Sequence, residues 1–101
     1  MPSEPLSQKE IEDRLRELPG WSFEDERLVR VYRLGGHVAA GALVAHIVAV
    51  QEELNHHSDL TLGYHSVRLS VNSHDAGGVV TERDFALAER VESLAPAHGA
   101  R

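Results

Sequence analysis

The chain has 101 residues, with 10 Lys+Arg against 16 Asp+Glu for a formal charge of -6 at pH 7. That length suits one domain, and the acidic balance argues against a nucleic-acid backbone as partner, because phosphate binding needs clustered cations. There is no cysteine, so disulfides, thiolate metal sites and cysteine nucleophiles are excluded.

Met1 to Glu10 has no apolar signal core, and no export signal is expected. The longest apolar-rich run, Val38 to Val50, is 13 residues, too short to span a bilayer. A cytoplasmic protein without membrane partners is the expectation.

In chain order, Leu6-Ser7-Gln8-Lys9-Glu10-Ile11 opens a helix. Ser7 can cap it, Glu10 can reach back to Ser7, and Leu6 can pack on Ile11. Ile11, Leu15 and Leu18 form one apolar stripe at helical spacing, and Pro19-Gly20 stops the helix. Trp21-Ser22-Phe23 alternates. A polar turn, Glu24 to Arg27, leads into a second alternating strand, Leu28 to Leu34, giving an antiparallel hairpin. Trp21, the only tryptophan, reads first as a core anchor and second as an aromatic wall beside a flat ligand.

After Gly35-Gly36 a helix is expected from His37 to Asn55. Val38 to Val50 leaves almost no polar face, and a helix that is apolar all round must be covered all round. One side can lie on the sheet, and the other predicts a homo-oligomer through this helix. His46 interrupts the run and reads as a buried or interfacial histidine with one hydrogen-bond partner.

Polarity returns at Gln51. Glu52 and His56 are i,i+4, as are Glu53 and His57, so each carboxylate is placed to sit under a histidine. The negative end of the helix dipole also favours a protonated imidazole there. Leu60 to Tyr64 is a short strand, and His65 an exposed turn residue. Val67 to Asn72 alternates, with Val67, Leu69 and Val71 facing the core. Ser73-His74-Asp75 leads into a loop with Gly77-Gly78. Thr81 and Asp84 form a second capping box, and Phe85, Ala88, Val91 and Leu94 or Ala95 face inward. Pro96 ends this helix, and residues 96–101, with His98, are expected to be a loose tail beyond a core of about 6–95. The order α-β-β-α-β-β-α predicts a two-layer α+β domain, a four-stranded antiparallel sheet with three helices on one face.

His56, His57 and His74 are the candidate catalytic residues. A metal site is the weaker reading, because adjacent histidines on a helix point about 100° apart, whereas zinc helices present ligands at i,i+4. Ser58 and Ser73 lie near histidines without a nucleophile elbow. Metal-free general acid–base chemistry remains, with histidines from two elements moving protons on and off one substrate atom. The bland alternative is a pair of helix-end histidines and one strand-end histidine without chemistry.

The combination Glu52…His56-His57, Ser73-His74-Asp75-Ala76-Gly77-Gly78 and Thr81-Glu82-Arg83-Asp84, with Leu18-Pro19-Gly20-Trp21 before the first strand, resembles the pterin-4a-carbinolamine dehydratase family over about Leu6 to Ala95. The resemblance implies dehydration of a 4a-hydroxytetrahydropterin to the quinonoid dihydropterin without metal or cofactor. His56, His57 and His74 would surround the C4a hydroxyl and N5. Glu52 would orient a histidine, while Asp75, Arg83, Asp84 and Trp21 are the further candidate substrate-binding residues. It also implies dimers or tetramers. The same fold serving as a non-catalytic dimerising or regulatory module is the alternative. Ser58 stands where the family usually has proline, which is expected to loosen the turn. Val79-Val80 lengthens the loop by one residue and is expected to shift Arg83 and Asp84 relative to His74.

Overall fold

A computed structural model describes residues 4–101. Helix α1 (Gln8–Leu15) starts at a Ser7 cap whose hydroxyl accepts from Glu10 N–H, while the Glu10 carboxylate accepts from Ser7 N–H at 3.0 Å. Strands β1 (Trp21–Glu24) and β2 (Arg27–Arg33) form a hairpin closed by Asp25 and Glu26, both at positive φ (50° and 62°). That geometry matches the right-handed twist of the strands. Helix α2 (His37–Leu54), strands β3 (Asp59–Leu62) and β4 (Ser66–Val71), a 3₁₀ turn at His74–Ala76, and helix α3 (Glu82–Leu94) complete the expected order. The sheet runs β1-β2-β4-β3, antiparallel throughout.

Alternation and register put Trp21, Phe23, Leu28, Arg30, Tyr32, Leu60, Val67, Leu69 and Val71 on the face turned toward the helices. Arg30 is tolerated there because Glu92 of α3 accepts from its Nε (3.1 Å), from Trp21 Nε1 (2.9 Å) and from Tyr32 Oη (2.5 Å), all on one carboxylate oxygen. Burial, reinforced by Glu92, pushes the Tyr32 phenol far up. Burial works to raise the Glu92 carboxyl too, but bonds from Tyr32, Trp21 and Arg30 outweigh it and hold Glu92 below its ordinary value.

Helix α2 buries one stripe, Ala40, Leu43, Ile47, Val50 and Gln51. Its other side, with Val38 at 87 % and Val48 at 44 % exposure beside Ala42, Ala45 and Ala49, faces outward. No helix of the described residues is long and apolar enough to cross a membrane.

Two expectations are corrected. The final residues are docked rather than loose. A 3₁₀ turn (Ala95–His98) follows α3, Ala95 is buried, and Arg101 exchanges backbone hydrogen bonds with Arg33 (2.9 and 3.0 Å). His46 is exposed in the single chain rather than buried, and its one partner is His98, at 2.8 Å between ring nitrogens. His98 therefore has a contact where none was expected.

Candidate active site

The site forms where α2 ends. Asn55 takes the left-handed conformation (φ 50°, ψ 46°), and the N–H groups of Asn55 and His56 bond back to the Glu52 and Gln51 carbonyls. Asparagine is among the few residues that adopt this conformation at modest cost. The reversal ends helical spacing, and the expected i,i+4 pairs do not form. His57 Nε2 meets Glu52 at 2.5 Å, with both side chains exposed. Glu53 pairs instead with Arg90 of α3 (2.6 Å), which holds the Glu53 carboxyl below its ordinary value. His56 turns inward to α3.

There His56 Nε2 donates to Asp84 Oδ1 at 2.6 Å. Asp84 is fully buried, and its second oxygen accepts from Ser73 Oγ and Thr81 N–H, both at 2.8 Å. The Ser73 and Thr81 hydroxyls bond each other at 2.6 Å. One carboxylate thus caps α3 and fixes the His56 ring. With Nε2 committed to Asp84, Nδ1 has no hydrogen bond to the described protein. Among the described residues no buried side-chain nitrogen or oxygen is unpartnered, so Nδ1 reaches the solvent of the pocket that His56 lines.

That pocket, about 330 Å³, is lined by Asn55, His56, His57, Asn72, His74, Asp75 and Arg83. All three candidate histidines share it. His74 enters from the start of the 3₁₀ turn after β4 and is exposed. Arg83 donates to Asp75 (3.0 Å) and to the Asn55 carbonyl (2.7 Å), clamping the glycine loop to the end of α2. Among the described residues no group of three His, Asp or Glu side chains converges as a metal would need.

Of the other candidates, Asp75 and Arg83 line the pocket, while Glu52 and Asp84 stand behind His57 and His56. Trp21 is displaced from the expected set. It is buried, its indole binds Glu92, and it does not line the pocket, so it is a core anchor. Ser58 does not loosen the turn. Its N–H (3.0 Å) and its hydroxyl both donate to Oε1 of the buried Gln51, bonds proline could not make. The loop is tied on both sides, with Ser73 N–H bonding Val79 O (2.9 Å) and Leu6 N–H bonding Val80 O (3.0 Å), and Asp84 beyond it reaches Ser73 and Thr81. Sequence reasoning missed Asn55 and Asn72. Asn55 carried a signal, an asparagine at a helix end. Asn72 reaches across to the Glu26 and Gly78 carbonyls (3.2 and 3.0 Å), a contact without local signature.

Comparison with known proteins points to one family. The family model described as pterin 4 alpha carbinolamine dehydratase matches residues 4–94. A Streptomyces avermitilis relative is 71 % identical over 99 % of both chains, and a Streptomyces coelicolor relative is 64 % identical over the same share. Both carry pterin-4-alpha-carbinolamine dehydratase as a provisional name. A solved structure titled transcriptional coactivator/pterin dehydratase, from Brucella melitensis, superposes with a TM-score of 0.83 at 26 % identity, covering 89 % of this chain and 97 % of that one. A structure titled a pterin dehydratase-like protein acting as a RuBisCO assembly factor shares the fold at 21 % identity, with a TM-score of 0.59 over 73 % of this chain and 84 % of that one. With a family model spanning nearly its whole length and relatives this similar, the chain belongs to the pterin 4 alpha carbinolamine dehydratase family.

Proposed function

We propose that the pocket dehydrates a 4a-hydroxytetrahydropterin to the quinonoid dihydropterin. The observation that carries this reading is the meeting of His56, His57 and His74 around one open pocket, with His56 held by a buried carboxylate. The reaction breaks the C4a–O bond. A protonated histidine gives its proton to the departing hydroxyl, which leaves as water. The N5 lone pair closes the C4a=N5 double bond, and a second histidine takes the N5 proton. One proton is given and one taken, so the step as written uses neither metal nor redox cofactor.

His56 suits the accepting role, because Asp84 holds its proton on Nε2 and leaves Nδ1 as an acceptor toward the pocket. The exposed His57, beside Glu52, and His74 suit the donating role. Arg83, Asp75, Asn55 and Asn72 offer polar contacts to the ring. The test is absorbance-followed dehydration with the spontaneous rate subtracted, comparing wild type, His57→Ala and His74→Ala. Turnover above background that drops about 100-fold or more in at least one variant supports the reading, in line with the usual contribution of a general acid or base. A folded protein without turnover refutes it.

A second role has one observation in its favour, the outward apolar side of α2 around Val38, Ala42, Ala45 and Val48. We assign that side to self-association of a cytoplasmic homo-oligomer. Val48→Glu is expected to shift sedimentation toward the monomer.

A further inference from the structure

The chain is acidic, yet three of its cations lie together without an acid. Of the 10 Lys and Arg side chains, all but Arg33, Arg68 and Arg101 meet a carboxylate, and these three reach none among the described residues. All three are exposed.

The sheet gathers them at one end. Alternation turns Arg33 of β2 and Arg68 of β4 to the face away from the helices. Arg68 pairs in register with Val31, and Arg33 with Ser66. The two arginines are therefore diagonal neighbours on that face, about 7–8 Å apart along the backbone. Arg33 and Arg101 exchange backbone hydrogen bonds in both directions. That is the pattern of a directly opposed antiparallel pair, whose side chains leave by the same face. Like charges so placed repel one another, which costs stability until an anion lies between them.

Apolar surface adjoins the charges. Val31, 41 % exposed, sits between Arg33 and Arg68. The turn after β3 closes the same end, where Leu34 N–H bonds His65 O at 2.8 Å. There the Tyr64 ring, 76 % exposed, stands edge-on to His65 and stacks on His37. We infer that this end of the outer sheet face docks an acidic segment of a partner protein, one with an apolar or aromatic side chain between its carboxylates. Guanidinium forks match carboxylates in shape and charge, while Val31 and Tyr64 receive the apolar side chain. A nucleic-acid strand fits less well, because its phosphates would run on from three arginines over an acidic protein. At the far end of the same hairpin, Asp25 and Glu26 repel an anion and fix where the segment stops. Helix α2 starts beside Tyr64, where His37 Nδ1 donates to Tyr64 O at 2.9 Å, and ends at the histidine pocket. Its 18 residues put roughly 27 Å between the two. A docked segment leaves the pocket open, and this assignment stands independently of the proposed reaction.

The experiment titrates ¹⁵N-labelled protein with the peptide Glu-Asp-Phe-Glu-Glu-Leu and, separately, with its uncharged analogue Gln-Asn-Phe-Gln-Gln-Leu and with oligouridylate. The acidic peptide is expected to shift the amides of Val31, Arg33, Arg68 and Arg101, to spare His56 and His57, and to weaken as salt is raised. Binding by the double variant Arg33→Gln, Arg68→Gln is expected to be about tenfold weaker, the scale for two exposed ion pairs, with the remaining spectrum unchanged. No shifts at this end, equal shifts with the uncharged analogue, or tighter binding of oligouridylate overturns the assignment. Shifts of the same amides on concentrating the protein alone, abolished in the double variant, give the surface to a second copy of this chain and overturn it likewise.

Discussion

Replacing Asp84 by asparagine separates the two duties of this side chain. Thr81 N–H can only donate, so the asparagine oxygen must keep the position that accepts from Thr81 N and Ser73 Oγ at 2.8 Å. The amide NH₂ then falls where Oδ1 now accepts from His56 Nε2 at 2.6 Å. Two donors would face each other, and His56 relieves the clash by moving its proton to Nδ1. The ring remains in place, but the nitrogen open to the pocket changes from acceptor to donor. Capping of α3 survives, and a charge-assisted bond is replaced by a neutral one. The stability cost should be about 1–2 kcal/mol, lowering Tm by roughly 5–15 °C in a domain of this size. The catalytic cost is larger, because a misplaced proton removes general-base assistance worth about 100-fold or more. Stopped-flow absorbance measures kcat, thermal unfolding measures Tm, and ¹⁵N chemical shifts of His56 report which nitrogen carries the proton. Near-wild-type turnover, or a His56 that keeps its proton on Nε2, would refute the reasoning.

Three further outcomes follow from the packing. Glu26→Gly relieves a left-handed turn residue (φ 62°) and is expected to raise stability by up to about 1 kcal/mol in denaturant titrations. Ser58→Pro removes both donors to the buried Gln51 Oε1 and should cost about 1–3 kcal/mol, the range for an orphaned buried acceptor; an unchanged unfolding midpoint would count against that accounting. Glu92 is held below its ordinary 4.5 in the fold, so its contribution is present above that value and is lost as pH falls through the lowered one. Glu92→Gln should therefore unfold earlier than wild type at neutral pH, and the gap should narrow in acid.

The parts of this molecule that were legible in the sequence are those whose partners lie within one helical turn or one strand repeat. The boxes Ser7–Glu10 and Thr81–Asp84 formed as read, as did the alternation of Val67, Leu69 and Val71 and the polar turn between β1 and β2. The three histidines were identified as a group, and they line one pocket. Their partners were misread, because i,i+4 reasoning assumes the helix continues and the left-handed Asn55 stops it. The bond between His56 and Asp84 spans 28 positions, and no local pattern reveals that a capping carboxylate has a second oxygen to spare. Trp21 was ambiguous for a similar reason, since only the fold brings Glu92 to its indole. The docked tail rests on backbone bonds to Arg33, to which side-chain patterns are blind.

The left-handed turn at Asn55 also sorts two adjacent histidines by environment. His56 is 6 % exposed and tied to α3, while His57 stands in solvent with a side-chain exposure of 56 %. In the proposed cycle, each turnover leaves one imidazole with a proton too many and another with one too few. His57 can recover its state directly from buffer. His56 can exchange only through water at the pocket mouth or directly with a neighbouring ring once product has left. One backbone torsion thereby divides the pair into a fast-resetting member and a gated one, and product departure doubles as the moment at which the catalyst is recharged.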